Sequence, residues 1–398
     1  MSDLIWKNAT LFAKKETAEG TGAWGTGLIT DMPAAGDAIL CAALAPKLQR
    51  DFHARKYQGA VGERPGVIGA QTSPGLAFQT EIKGNGSSNT PEIDELLECV
   101  FGAVSAGGAS TTISGAASTT TSINVADSTG FTVGNMVNIQ LTTGGVFESA
   151  MITAAGGNVL TVTPALTTAP VTAGTTVDEM RTYQLVVPPA GVNSMSLDVH
   201  YNAAAGAVQF DRFKGCHGSM KWDSPRAGSI PMLTWDFAAW NWVQNAAGTR
   251  PTPTYDTASP KPGLATKFKI AGVLVDVFDL SWDLAATVAR KLSQNSDLGI
   301  YGTPIVDVNP KGSFKIHPAH TSVAQFTGWT AETAVSLIQQ VGNARYGTVT
   351  WFCPQALRRE VARGDDGGLG TNEIQWDADV QDDALATSVD AALYMAVG

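Results

Sequence analysis

Short runs in which β-branched and aromatic residues alternate with polar ones, broken by turns rich in glycine, proline and asparagine, recur along most of this chain. Alternation places successive side chains on opposite faces of an extended backbone, so the pattern constrains the chain to strands with one buried face. The clearest run is SMSLDVHYN at 194–202, where Met195, Leu197 and Val199 share a face. LAFQTEIKG at 76–84, GSMKWDS at 218–224, MLTWDFAAWNW at 232–242, TKFKIAGVLVDVFDLSWDL at 266–284 and GSFKIHP at 312–318 read the same way. Between them lie PPAGVN, NAAAGA, SPRAGS and a loop at 245–263 long enough to be an arm or a partner contact.

Two segments read as helices. In the first, Thr90 can cap, Pro91 suits the first turn and Gly102 the stop, while Ile93, Leu96, Leu97, Val100 and Phe101 fall on one face. The second runs from Thr330 to about Gly342, with Ala334, Leu337, Ile338 and Val341 as its stripe. DAILCAALAPKLQRDF at 37–52 fits either a helix or an extended strand.

Residues 105–180 stand apart, with 17 Thr and no Lys or Arg. SINVA, MVNIQL, ESAMITAA and VLTVTPAL alternate and are separated by DSTGFTVGN, TTGG and AGGN, which predicts at least four short strands in a small inserted β domain. The expected organisation is a discontinuous β core over 1–104 and 181–398, with the 105–180 module inserted and facing outward. The fold class is mainly β with one or two helices.

At 398 residues the chain can bury a sizeable core without staples. Charged residues make up only 16% and hydrophobic ones 44%, which leaves much low-charge surface for partner subunits to cover. The net charge of −10 is spread as −3 over 1–104, −4 over 105–180 and −3 over 181–398, so no basic domain grips nucleic acid. Cys41, Cys99, Cys216 and Cys353 are too far apart for a metal knuckle or redox pair and read as buried thiols. No signal-peptide pattern and no transmembrane run is present, so the expectation is a chain folded in a cytoplasm and not inserted in a membrane.

Motifs for chemistry are weak. Gly20, Gly22 and Gly25 fit GxGxxG, but KKETAE precedes them where a dinucleotide fold needs an apolar strand. His317 and His320 lack a third ligand, and Cys216 and His217 are neighbours that a strand points apart, leaving core and surface positions. Trp235, Phe237, Trp240 and Trp242 could form a sugar platform, but their shift of phase indicates a bulged strand feeding a core. The acidic run carrying Glu373, Asp377, Asp379, Asp382 and Asp383 lacks calcium-loop spacing and reads as a solvated or pore-facing segment. No catalytic, cofactor-binding or metal-binding residue is assigned, and the chain reads as a structural protein, not an enzyme.

Three stretches carry a family resemblance. RPGVIGAQTSPGLAFQTEIKGNG followed by TPEIDELLECVFG gives a strand, a polar turn and a helix. SMSLDVHYN, VQFDRFKGCHGSMKWD and SIPMLTWDFAAWNWV form a succession of paired strands. FKIAGVLVDVFDLSWDLAATVARKLSQNSDLGIYG is followed by PKGSFKI. In this order the chain resembles the tail tube proteins (major tail proteins) of long-tailed, siphovirus-type bacteriophages. The resemblance implies a β-sandwich or barrel core whose sheets join into homo-oligomeric rings, usually hexameric, stacked into a hollow tube. It implies a virion protein assembled in the host cytoplasm, meeting other tail proteins at the tube ends and letting DNA pass through the lumen without specific binding. The five acidic residues then become candidates for lumen or inter-ring positions. Other readings are an adhesin or carbohydrate-binding β protein, a tail terminator and a capsid decoration protein.

Overall fold

The computed structural model describes residues 4–21, 33–55, 66–84, 86–88, 90–115, 117–186, 192–203, 208–224, 228–245, 251–260, 266–295, 299–317, 324–379 and 392–398. The chain opens with β1 (Leu4–Lys15), β2 (Ala38–Ile39), β3 (Cys41–Arg55), β4 (Gly66–Glu81), helix α1 (Asp94–Phe101) and β5 (Gly102–Ser105). The insert supplies β6 (Ser110–Thr112), β7 (Ser122–Asn124), β8 (Met136–Gln140), β9 (Phe147–Gly156), β10 (Val159–Thr163) and β11 (Thr176–Glu179). β12 (Arg181–Leu185), β13 (Met195–Ala203), β14 (Val208–Ser224), β15 (Met232–Ala238), β16 (Asn241–Asn245), β17 (Lys267–Ile270), β18 (Val273–Leu274) and β19 (Val277–Asp283) follow. A two-part hairpin then forms from β20 (Ala286–Val288), β21 (Lys291–Leu292), β22 (Ile300–Gly302) and β23 (Ile305–Val308). The chain ends with β24 (Lys311–Ile316), helix α2 (Ala324–Thr330), β25 (Val335–Val341), β26 (Val349–Asp366), β27 (Leu369–Ala378) and β28 (Tyr394–Val397). The protein is mainly β, with two α-helices among the described residues.

The core is built from three sheets joined by two long strands. Sheet I runs β3-β4-β15-β14-β19-β24-β27-β26, all antiparallel. Sheet II runs β5-β12-β28-β26-β25-β17-β18. Sheet III runs β2-β1-β13-β14-β16. β14 therefore belongs to III through its first half and to I through its second, and β26 passes from II to I near Ala356, which pairs with Val335 and Ala378 at once.

Each crossing has a local cause. β14 bends at Gly215, whose φ of 60° suits glycine and where a Cβ would stand 2.9 Å from the Trp240 side chain. The bend is fixed by Glu16, a buried carboxylate that accepts from the Gly215 and Gly20 amides at 3.0 and 2.7 Å and from the Ser194 and Ser196 hydroxyls at 2.6 and 2.7 Å. Between sheets I and II lie four buried tryptophans. Trp222 stacks on Trp351 with ring centroids 5.6 Å apart, and Trp282 meets Trp351 at 6.2 Å and Trp376 at 4.7 Å. Helix α1 ends at Gly102 as expected, with φ 92°, and buries Leu96, Leu97, Val100 and Phe101. Its outer face is held to β12, where Arg181 bonds Asp94 at 2.5 and 2.8 Å and Glu98 at 2.9 Å.

The insert forms its own sheet, β6-β11-β8-β9-β10-β7, around a separate apolar core that includes Ile123, Val137, Ile139, Ile152, Leu160 and Val177. Six strands thus stand where at least four were expected.

Several expectations need correction. The segment from Thr330 to Gly342 is not a helix; α2 ends at Thr330 and Val335–Val341 is strand β25. Its two faces are both buried, Leu337 and Val341 against the main core and Ile338 against the insert, so the apolar residues imitate a helical stripe. Thr90 does not cap α1: the N-cap is Ile93 and has no side-chain bond. Of residues 37–52, Asp37 ends a short 3-10 turn and the rest is extended chain in β2 and β3. The 232–242 run is two strands separated by a turn at Ala239 and Trp240, not one bulged strand.

Truncating the ring at the centre of the tryptophan cluster tests this architecture. Trp351→Ala should destabilise the fold by about 3–5 kcal/mol in chemical denaturation, whereas Leu292→Ala, at 70% exposure, should change stability by less than about 0.5 kcal/mol.

Candidate assembly interface

Strands at the ends of the sheets leave hydrogen-bonding edges open. In sheet I, among the described residues, β3 pairs with β4 alone, and β15 pairs β4 over 75–81. Residues 48–55 and 66–74 therefore continue as a two-stranded ribbon with no third strand among the described residues. Eight residues at about 3.3 Å each carry it roughly 25 Å beyond the sheet. Close to the sheet the edge is interrupted, by Ala43 at φ 51° and by Pro46, both of which hinder pairing. Farther out the backbone runs on without such a break except for one register shift between Arg50 and Phe52. An isolated ribbon of this kind is marginal in water and needs a surface to lie on.

At the far side of the same sheet, β26 and β27 form a second hairpin, closed by Gly367 and Gly368 at positive φ. Its open edge is partly covered by α2, whose Trp329 Nε1 donates to the Arg359 carbonyl at 3.1 Å. Leu369 at its tip is 62% exposed.

One face of sheet I packs on the tryptophan core, and the other presents charge in ordered rows. Lys221 stands opposite Asp283, Asp283 opposite Lys311, and Lys311 opposite Asp377. Four positions along, Asp279, Lys315 and Glu373 form a second row. Lys315 bridges Asp279 and Glu373 at 3.4 Å each, and Arg359 meets Asp377 at 2.9 Å. Glu373 and Asp377 are half-buried, and each is matched by a cation. The sequence run hid this because the cations come from β24 and β26. Asp379 follows the end of β27, its amide donating to the Gln355 carbonyl, and Asp382 and Asp383 lie outside the described residues.

The insert is seated on sheet II through one buried charged cluster that sequence reading missed. Glu148, 1% exposed, accepts from Lys269, 2% exposed, and from Lys267 at 3.0 Å, and also from the Thr167 amide and hydroxyl at 2.9 and 2.5 Å. Lys269 donates its remaining capacity to the Ala165 carbonyl at 2.7 Å. Around it, Gln340 bonds the Ser149 amide and the Phe147 carbonyl at 2.9 Å each, the Ser149 and Thr350 hydroxyls meet at 2.8 Å, and Arg345 bonds Asp178 at 2.8 Å. Met136, Met151 and Met180 pack there against Ile338, Phe352 and Tyr394. One of the two Glu in a Thr-rich module, and two Lys on a distant strand, give no local sign of this pairing.

The residues considered for chemistry do not converge. Cys99, Cys216 and Cys353 are buried, and burial pushes each thiol well above its ordinary range; the half-buried Cys41 rises to about 11 for the same reason. His217, expected at the surface, is buried instead, and burial lowers its basicity. It points at the Val192 carbonyl, 3.4 Å away. His317 is exposed and stacks on Phe278 at 4.5 Å, while His320 lies outside the described residues. Of the glycine motif only Gly20 is described, in a turn held by Glu16; Gly22 and Gly25 are not. Trp235 and Phe237 are core, Trp240 donates to the Ile300 carbonyl at 2.8 Å, and Trp242 packs against the core edge, so the four make no open platform. Among the described residues no cluster of three or more metal-ligating side chains occurs. No helix among them is long and apolar enough to cross a membrane.

No protein-family model matches the chain, and no curated protein matches it.

The Glu148 cluster makes a pH prediction. Burial opposes ionisation of Glu148, but hydrogen bonds from Lys269 and Thr167 and the charges of both lysines outweigh it and hold the carboxyl below its ordinary value of 4.5. A depressed carboxyl contributes stability above its unfolded value and loses it as pH falls through the folded one. Wild-type stability should therefore drop as pH falls below about 4.5, and Glu148→Gln should flatten part of that dependence. The same substitution leaves Lys269 buried without its counter-charge and should cost about 3–5 kcal/mol at neutral pH, measured by denaturant unfolding.

Proposed function

We propose that this chain is a structural virion protein, the tail tube subunit of a long-tailed bacteriophage, which closes into homo-oligomeric rings, hexameric by family resemblance, that stack into a hollow conduit for DNA ejection. The observation that carries this reading is the β3–β4 ribbon: a long strand pair leaving a sheet that already has an open edge, with no further strand paired to it among the described residues. Closed rings satisfy such edges, and a second subunit gives the ribbon a surface. The low charge content and the edges at β5 and β18 support the same reading.

The charged face of sheet I is our candidate for the lumen. Rows that alternate in sign present no block of cations to phosphates, and the net charge of −10 repels a DNA backbone. Such a surface lets a polyanion slide past without gripping it. The insert, docked on sheet II through Glu148, belongs on this reading to the outside of the tube, and other tail proteins meet the tube ends. The adhesin reading rests on the Trp-rich run, in which Trp235 and Phe237 are buried while Trp240 and Trp242 are half-buried, and glycan-array binding would favour it.

Negative-stain electron microscopy of purified protein at rising concentration tests the proposal. Rings or tubes with a central channel are expected, with well over about 2,000 Å² buried at each subunit contact. Particles that stay single and monomeric by light scattering at every concentration would refute it.

A further inference from the structure

The insert closes on itself before it meets the rest of the chain. Its end strands β6 and β7 are bridged at Ile113 and Val125, with the Ser114 amide donating to the Asn124 carbonyl at 3.0 Å and the Ala126 amide to the Thr112 carbonyl at 2.8 Å. The six strands therefore form a small barrel around their own apolar core, and a barrel has no open edge for a neighbour to extend. Its link to the main body is narrow. Ser105 of β5 stands opposite Thr182 of β12. Gly107 and Gly108, at φ 63° and 104°, carry the chain in, and Met180 alone separates β11 from β12 on the way out. A Cβ at Gly107 would stand 2.4 Å from the Met180 carbonyl oxygen, so glycine lets the two links run side by side.

Alternation along β8 sends Val137 and Ile139 into the barrel and puts Met136 and Asn138 on the face that meets sheet II. The apolar part of this seat is small: Met136, Met151 and Met180 against Ile338, Phe352 and Tyr394. The remainder is polar, and not all of it is satisfied. Asn138 is fully buried, yet neither its amide nitrogen nor its amide oxygen has a hydrogen-bond partner, and Asp178 Oδ2, on the residue opposite it in β11, has none either. Such groups give up water with no bond in return, so they oppose docking. The Glu148 cluster offsets them. Lys267 and Lys269 of β17 are the charges that meet its carboxylate, while the other ion pair across the seat, Arg345 with Asp178, is exposed on its arginine side.

From this geometry we infer that the insert is a latched module, which leaves its seat on sheet II as an intact barrel, turning about the neck at Gly107, Gly108 and Met180, when Glu148 loses its charge. Protonation of Glu148 leaves two lysines in a buried seat without their counter-ion. Burial opposes ionisation of Glu148, but the hydrogen bonds from Lys269 and Thr167 and the charges of both lysines outweigh it and hold the carboxyl below 4.5. Docking is therefore favoured above that value and lost as pH falls through the lower, folded one. Neither core has to open for the movement: the barrel keeps its own, and all ten tryptophans lie outside 105–180. The latch acts within one chain and does not depend on self-association.

Methionine oxidation by dilute hydrogen peroxide, read by mass spectrometry on the full chain, tests it. Met136 and Met151 lie in the seat, whereas Met195 and Met220 lie in the main core, and all four are buried. As pH falls below 4.5, oxidation of the seat pair should speed up about tenfold or more, while Met195 and Met220 stay protected and tryptophan fluorescence stays native. Amides of β8 and β9 should remain protected from exchange, because the barrel stays closed. Glu148→Gln should bring the same selective rise to neutral pH. A disulfide across the seat, from Ser149→Cys with Thr350→Cys at hydroxyls 2.8 Å apart, should keep Met136 and Met151 protected in acid. Loss of protection by all four methionines at one pH, or exchange of β8 and β9 amides together with seat oxidation, would mean unfolding instead of release and would overturn the inference. Seat methionines of the wild-type chain that stay protected down to the pH of global unfolding would overturn it equally, even where Glu148→Gln fails to fold.

Discussion

Packing of Trp222, Trp282, Trp351 and Trp376 between the first two sheets, stacked on Trp351 and edge to face at Trp376, is the contact on which the rest of the molecule depends. Trp351 sits on β26 just before that strand leaves sheet II, and Trp376 sits on β27, the partner it joins in sheet I. The crossing strand is therefore anchored by rings from both layers at the point where it changes partners. A second crossing, on β14, is set by backbone freedom at Gly215 and by four hydrogen bonds to Glu16. Two different devices, one apolar and one polar, thus convert a row of hairpins into a single three-sheet body.

That body determines which edges stay open. Because β14 and β26 are each spent in two sheets, the remaining borders of sheet I among the described residues are β3 on one side and the distal part of β26 on the other. The same sheet buries tryptophan on one face and aligns Lys221, Asp283, Lys311 and Asp377 on the other. The insert has its own core and rests on sheet II through Glu148, so it decorates that body without interrupting its sheets.

Much of the β architecture was legible because alternation is a local signal. Met195, Leu197 and Val199 are all buried on one face, as their spacing indicates, and the 105–180 module does fold as a separate sheet. Errors arose where burial came from two sides. Val335–Val341 packs against the core with Leu337 and against the insert with Ile338, and a strand buried on both faces has the composition of a helix. The tryptophan-rich run was read as one strand because nothing in AAWN marks the turn that splits it. The candidate site was less legible. Glu373 and Asp377 stood out as acidic, but their partners Lys315 and Arg359 lie on neighbouring strands, and the buried Glu148 cluster joins residues more than a hundred positions apart. Charge pairing across a sheet depends on register, which a single sequence does not encode locally.

The account stands on the β3–β4 ribbon finding its surface in another copy, and amide hydrogen exchange over 48–55 and 66–74 as a function of protein concentration measures that directly. Outward-facing amides of these strands should exchange rapidly at low concentration and become protected as assembly proceeds, while the Trp351 region stays protected throughout. Ribbon amides that exchange equally fast at every concentration, in samples where particles have visibly assembled, would contradict it.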